Sequence, residues 1–413
     1  MPRTIVGIDV GTTKVCTLIG QVGEEGGLRI TGVGIVPSQG VHKGVITDLE
    51  KASRAIGESV QKAESVSGHT VVAAYVGVGG AHIASRNSRG MAAIGRGDRP
   101  VDRGDIERAM EAAQAITMPH NRRIIHAIPR EFVIDDQGGI RNPLGLMGFR
   151  LEVEAHIVTG AMTCIRNLIR CIQANQIEVL GLVLQPLASS RAVLTEEEME
   201  MGVTLLDMGG GTLDMAIYAE GSVIKTGVIG LGGWHITKDI AVGLGTSFAT
   251  AEDIKVRYAH VSRSAVEEDE VIEISTFGDE SLAVVPRGDV CDIVGLRTEE
   301  MLDLLSREIK RSGLDSLLPA GVVMTGGTAN LRGVKELAKM KLGLPVRIGT
   351  PTGLQGLMEA ISGPAYATAV GLLLWGKDRE DAVSDGRSAA PGEEGWYRRL
   401  WDWLQVLLPR SQV

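Results

Sequence analysis

Residues 205–214, LLDMGGGTLD, set out in order a short apolar strand, a carboxylate, three consecutive glycines, a hydroxyl and a second carboxylate. Glycines let the backbone turn tightly with no side chains in the way, so amide N–H groups can close on a phosphate while Asp207 faces a metal ion. A glycine-rich hairpin without a ligand has the same composition, and one such loop does not separate the two readings. A second copy does. Residues 5–14, IVGIDVGTTK, repeat the order of strand, acid, glycine turn and hydroxyls at the start of the chain. Two cradles point to a clamp that grips a polyphosphate from both sides.

Outward from the loops, strands are expected at 4–10, 15–22 and 28–36, and again at 203–208, 213–221 and 223–230. The second set repeats the first roughly 200 residues later, the mark of an internal duplication. Asp48 opens a helix whose Leu49, Ala52, Ile56, Val60 and Ala63 share one face. Between about 81 and 160 the texture changes to alternating strands around one helix at 102–116, which predicts an inserted α+β subdomain. Gly79-Gly80 reads as the hinge into it. A helix at 162–176, a strand at 179–185 and a helix after Pro186 complete the first half. In the second half, helices are expected at 235–243, 249–259 and 298–312, the last with Met301, Leu302, Leu305 and Ile309 on one face. A third glycine loop follows in VVMTGGTANLRG, and a small-residue helix ending near Trp375 closes the body.

The chain has 413 residues, 44% of them hydrophobic and 23% charged, an ordinary globular composition with room for several packed domains. A formal charge of -9 without a long Lys/Arg run excludes non-specific nucleic-acid binding as the main activity. Cys16, Cys164, Cys171 and Cys291 form no CxxC pair, and His120, His126 and His156 lack ligand spacing, so neither set suggests a metal site. No apolar run approaches ~18 residues, so no spanning helix is expected, and the protein is expected in the cytosol.

Apolar residues nearly vanish from 376 to 395, which reads as a flexible linker, and then return in WYRRLWDWLQVLLPR. As a helix, this stretch gathers Trp396, Tyr397, Leu400, Trp401, Trp403, Leu404, Leu407 and Leu408 into one arc, with Arg398, Arg399, Asp402 and Gln405 opposite. Three of the five tryptophans lie here. Tryptophan favours the headgroup layer, so the segment reads as a helix lying in a membrane surface, too short to span it. Docking on the body is the alternative.

The paired loops, the duplicated halves and MTGGTANLRG resemble the actin, heat-shock chaperone and sugar kinase superfamily over the body, from Thr4 to Trp375. The resemblance implies a duplicated actin-like (ribonuclease-H-like) α/β fold whose two lobes close over ATP and Mg. It makes Asp9, Gly11, Thr12, Thr13 and Lys14 the first phosphate loop, and Asp207, Gly209, Gly210, Gly211, Thr212 and Asp214 the second. Gly326 and Gly327 would pack on the adenosine, Glu252 and Lys255 would border the base and ribose, and Gly233 would also belong to the nucleotide site. Mg²⁺, a hard ion that keeps most of its water, suits Asp9 and Asp207 acting through the water shell.

Within the superfamily, IVGIDVGTTKV, LQPLASSRAVL, GVTLLDMGGGTLDMAIY, LGGWHITKDIAVGL, AEDIKVRYAH, VVMTGGTANLRG, the insert and the apolar tail resemble the FtsA cell-division family, in order. That resemblance divides the chain into a first lobe (1–80 and 161–199), the insert (81–160), a second lobe (200–227 and 305–375), a small subdomain (228–304), a linker (376–395) and a membrane-targeting helix (396–410). It implies ATP-dependent filaments on the cytoplasmic face of the membrane at the division site. The tail would bind an anionic membrane surface, the small subdomain would hold the C-terminal peptide of the tubulin-like FtsZ, and the insert would meet later division proteins. Gln185 stands where bacterial actins and chaperones usually carry glutamate before proline. An amide cannot take a proton, so it could only position the attacking water, and slow turnover is expected. The alternatives are a pilus-assembly adaptor of the same fold, which lacks such a tail, and a small-molecule kinase, for which no separate catalytic acid is found.

Overall fold

The computed structural model describes residues 3–384 except 24–25, 96–98, 278–281, 315–316 and 358. The first half opens with a meander, β1 (Arg3–Val10), β2 (Lys14–Val22) and β3 (Leu28–Pro37), followed by the short hairpin β4 (Val41–His42) and β5 (Val45–Ile46). Helix α1 (Leu49–Ser67) starts where the Asp48 side chain accepts from Lys51 N–H and stops at Gly68, whose left-handed conformation (φ 69°) ends the turn. It buries Ala52, Ile56, Val60 and Ala63 on the sheet, leading to β6 (Ala73–Val78).

The insert contains β7 (Ala84–Ala93), α2 (Arg103–Gln114), β8 (Arg122–Ile134), β9 (Gln137–Ile140) and β10 (Arg150–Ala161). Its strands pair in the order β7-β10-β8-β9, with α2 packed on them around Ile106, Met110, Phe132 and Leu151. The chain then returns through α3 (Met162–Gln173), β11 (Glu178–Leu184), α4 (Gln185–Val193) and α5 (Glu196–Met201).

The second half repeats the meander as β12 (Val203–Met208), β13 (Leu213–Ala219) and β14 (Ser222–Ile229). Next come α6 (Gly233–Leu244), α7 (Phe248–Tyr258), β15 (Val271–Ile274), β16 (Ala283–Pro286), α8 (Arg287–Arg311), β17 (Gly321–Thr325), α9 (Val334–Leu342), β18 (Val346–Ile348), β19 (Gln355–Gly356) and α10 (Ala367–Ser384). The first sheet runs β11-β6-β1-β2-β3-β19 and the second β14-β13-β12-β17-β18. In each, the strand carrying the acid pairs antiparallel with its successor and parallel with a later strand: β1 with β2 and β6, β12 with β13 and β17. The duplication seen in the loops is therefore a duplication of sheet topology.

The insert touches both halves, and Leu184 N–H of the first donates to its His126 Nε2 (2.9 Å). Ser85 Oγ donates to the Thr226 carbonyl (2.8 Å), and buried His156 lies within hydrogen-bond distance of Asn87 Oδ1 and Thr226 Oγ1. Burial and the Arg130 charge hold the His156 imidazole at about 3, so it is neutral at ordinary pH.

Two expectations are corrected. Helix α8 begins at Arg287 rather than near Thr298; Val290, Cys291 and Val294 extend its buried face, but the intervening charges and glycines hide the period. The segment from Gly376 is not linker at its start, since α10 continues to Ser384. Lys377 pairs with Asp381 one turn on (2.9 Å), Arg3 bonds the same carboxylate (2.5 Å) and Arg191 bonds Asp378. Polar composition cannot distinguish such a charged helix face from a linker. The expected amphipathic helix at 396–410 lies outside the described residues. No helix among the described residues is long and apolar enough to cross a membrane.

Candidate functional site

The acids of the two halves sit one residue before the ends of β1 and β12, and each strand leads into a turn closed by the same bond. Gly11 N–H donates to Lys14 O (3.0 Å), and Gly209 N–H donates to Thr212 O (2.9 Å). In the ladders Asp9 stands opposite Cys16, and Asp207 opposite Asp214. The turns meet tip to tip. A Cβ on Gly210 would lie 2.4 Å from Thr13 Cγ2, and one on Gly211 would lie 2.4 Å from Thr12 Oγ1, distances no real side chain tolerates. Glycine is required here by the approach of the other lobe.

Three buried carboxylates and one half-buried ammonium meet at this junction. Ser189 Oγ and Thr368 Oγ1 both donate to Asp207 Oδ2 (2.6 and 3.0 Å), while Oδ1 faces Gly326. Thr212 Oγ1 donates to Asp214 Oδ2 (2.6 Å). Burial pushes Asp9 up to about 6 against the pull of Lys14 and Gln185, and pushes Asp214 up to about 7 against the Thr212 bond. Asp207 is raised by burial too, opposed by its two hydroxyl donors. Lys14 is lowered by burial. Its ammonium turns to the Ala365 carbonyl and lies 4.0 Å from the Tyr366 ring centroid. The first turn is thereby tied to the segment just before α10.

Gln185, the first residue of α4, donates through Nε2 to Asp9 Oδ1 (2.9 Å). Gly79 lies against it, and a Cβ there would sit 1.9 Å from Gln185 Oε1. The reading of Gly79-Gly80 as only a hinge is corrected: Gly79 makes room for Gln185, and Gly80 packs on the β4–β5 turn.

The residues expected to border the nucleoside also lie together. Gly233 N–H donates to the Gly209 carbonyl (3.0 Å), and Thr328 Oγ1 donates to the same carbonyl (2.9 Å). Lys255 Nζ donates to the Gly233 carbonyl, Thr237 Oγ1 and Glu252 Oε2 (3.3, 2.9 and 2.7 Å). Gly326 holds φ 86°, a left-handed conformation that sends β17 sharply into the 3₁₀ turn Gly327–Asn330. Every sequence-derived loop residue of the body thus lies at one junction. Ser189, Thr368, Thr328 and the β4–β5 hairpin were not anticipated. Ser189 had a signal, since it lies one helical turn from Gln185 on the same face.

The donor set fits a nucleotide with Mg. A Cβ at Gly210, Gly211 or Gly326 would collide with Thr13, Thr12 or Asp207, so only glycine backbone fits at these positions, and the side chains around them offer hard carboxylate oxygens. Among the described residues, no group of three His, Cys, Asp or Glu side chains is arranged to hold a metal ion.

Duplicated lobes of this topology, joined through paired acid-and-glycine turns, define an actin-like protein. Solved structures share the fold: the PilM–PilN type IV pilus biogenesis complex (TM-score 0.67, 16% identity, 90% of this chain and 98% of that one) and MreB5 of Spiroplasma citri bound to ADP (0.56, 13%, 93% and 99%). The model of the family "Cell division protein FtsA" matches residues 204–371, and that of the "SHS2 domain inserted in FTSA" matches 80–159. A Pseudomonas aeruginosa protein described as cell division protein FtsA is 41% identical over 386 residues, covering 94% of this chain and 91% of the relative. The chain belongs to the FtsA family of actin-like cell division proteins.

Proposed function

We propose that this protein binds ATP with Mg between its two turns, and that the nucleotide sets an assembly-competent shape more than it serves as fuel. The observation that carries this reading is the tip-to-tip meeting of Thr12–Thr13 with Gly210–Gly211. A ligand held there is gripped by both lobes, so it stabilises whichever lobe arrangement fits it best. Asp9 and Asp207 would hold Mg through its water shell, and Mg would neutralise phosphate charge. The amides of both turns would cradle the phosphates, with Gly233, Glu252, Lys255, Gly326 and Gly327 around the nucleoside. Gln185 would orient a water molecule without accepting its proton, which makes turnover slow.

At the cellular level, the protein would polymerise on the inner face of the membrane, attach through residues 396–410 and anchor the tubulin-like FtsZ. The peptide of that partner would dock on the small subdomain, where Val242, Phe248 and Leu296 are more than half exposed. Electron microscopy of the full chain with ATP, FtsZ and anionic lipid tests the reading. Filaments aligned on the lipid, recruiting FtsZ, are expected; FtsZ recruitment unaffected by omitting this protein would refute it.

A further inference from the structure

Lys43 forms the tip of the β4–β5 hairpin with φ 49°, followed by Gly44 with φ 73°. His42 pairs with Val45, so Lys43-Gly44 is a two-residue turn with both residues left-handed. Asparagine and glycine fill such a turn readily; lysine does not. A residue kept in an unfavourable backbone conformation is a pointer to use of its side chain.

The tip rests on both phosphate-facing turns. Gly44 N–H donates to Thr12 Oγ1 (3.2 Å), and a Cβ on Gly211 would lie 2.9 Å from Lys43 Cα. Beside it, the His42 ring meets Trp234 edge-on, with centroids 5.3 Å apart, so the hairpin reaches from the first lobe to the first turn of α6. His235, in the same turn, is depressed by burial and then by the Lys43 charge, which puts that charge near the positive end of α6. Lys14 is taken by Ala365 and Lys255 by Glu252, but Lys43 has no hydrogen bond or ion pair among the described residues. A strained lysine whose turn rests against Thr12 and Gly211, with no ion-pair partner among the described residues, is placed to meet an anion.

We propose that Lys43 binds the terminal phosphate of the nucleotide and makes the site distinguish a nucleoside triphosphate from the diphosphate. The proposal rests on the nucleotide reading above. The hairpin would then act as a clasp that registers whether the last phosphate is present.

The test is titration of Mg-ATP and Mg-ADP, separately, into the full chain and its Lys43→Asn and Lys43→Arg variants, with thermal melting of each protein without nucleotide. Lys43→Asn is expected to weaken ATP about tenfold or more while ADP stays within about twofold, because only the triphosphate loses a charge-assisted bond. The same variant should melt higher, since asparagine accepts the left-handed turn, and Lys43→Arg should largely retain the ATP preference. Equal weakening of both nucleotides would show a merely structural lysine and overturn the proposal. Unchanged binding of both by Lys43→Asn would also overturn it while leaving the nucleotide reading intact. Failure of the unaltered chain to bind either nucleotide would overturn both.

Discussion

Gln185 Nε2 donates to Asp9 Oδ1 at 2.9 Å, so the first residue of α4 and the acid of the first turn share one hydrogen bond. The amide is fixed by Asp9 on one side and by the backbone of Gly79 on the other. Turnover of ATP by the unaltered chain should fall well below about 10 per second, the range of ordinary metabolic enzymes. Gln185→Ala should lower phosphate release a further ~10-fold or more while leaving ATP affinity within about threefold, since water positioning is lost and phosphate contacts are kept. Phosphate release unchanged in Gln185→Ala would remove Gln185 from the reaction.

Asp9 is buried, and its carboxyl is pushed up to about 6 because burial disfavours the charge. The native state binds this proton more tightly than the unfolded chain does. Ionisation therefore costs stability as pH rises from 3.8 to about 6, and the cost persists at neutral pH. Asp9→Asn should raise the melting temperature of the nucleotide-free protein at pH 7 and abolish the further rise that Mg-ATP produces. A lower melting temperature with the ATP response intact would contradict the assignment.

Asp105, at the start of α2, shows the opposite sign. Burial alone would raise its carboxyl, but the bidentate Arg99 bond (2.7 Å to each oxygen), the Asp102 amide and Arg108 overcome it and hold the group at about 2. A depressed folded value contributes stability above 3.8 that is lost as pH falls towards about 2. Asp105→Asn should cost the insert on the order of 2 kcal/mol at neutral pH, and the difference should shrink in acid. Urea unfolding at pH 7 and pH 3 measures both. A difference independent of pH would exclude the charge as its source.

Residues 396–410 carry the proposed membrane contact. Deleting 385–413 leaves the described body whole and should abolish sedimentation with anionic vesicles while retaining nucleotide binding. Sedimentation of the shortened body with vesicles would move the membrane contact elsewhere.

Both acid-and-glycine turns were legible because each is continuous in the chain, with its acid, glycines and hydroxyls adjacent. The insert was legible through its change of texture. The partners of Asp207 were not, since Thr368 reaches it from 161 residues away and no local pattern encodes that meeting. The start of α8 and the end of α10 were missed where charged residues that fold into helix look like loop or linker. The β4–β5 hairpin escaped because Lys43-Gly44 lacks the Asn-Gly signal that announces such turns.

Calorimetric titration of Mg-ATP into the full chain and its Gly210→Val variant bears most directly on the clamp. The chain should bind one ATP with a dissociation constant of about 10 μM or tighter. Gly210→Val should bind at least ~100-fold more weakly, because its side chain would occupy the space where the two turns meet. Equal affinity in the two proteins, or no binding in either, would contradict the account.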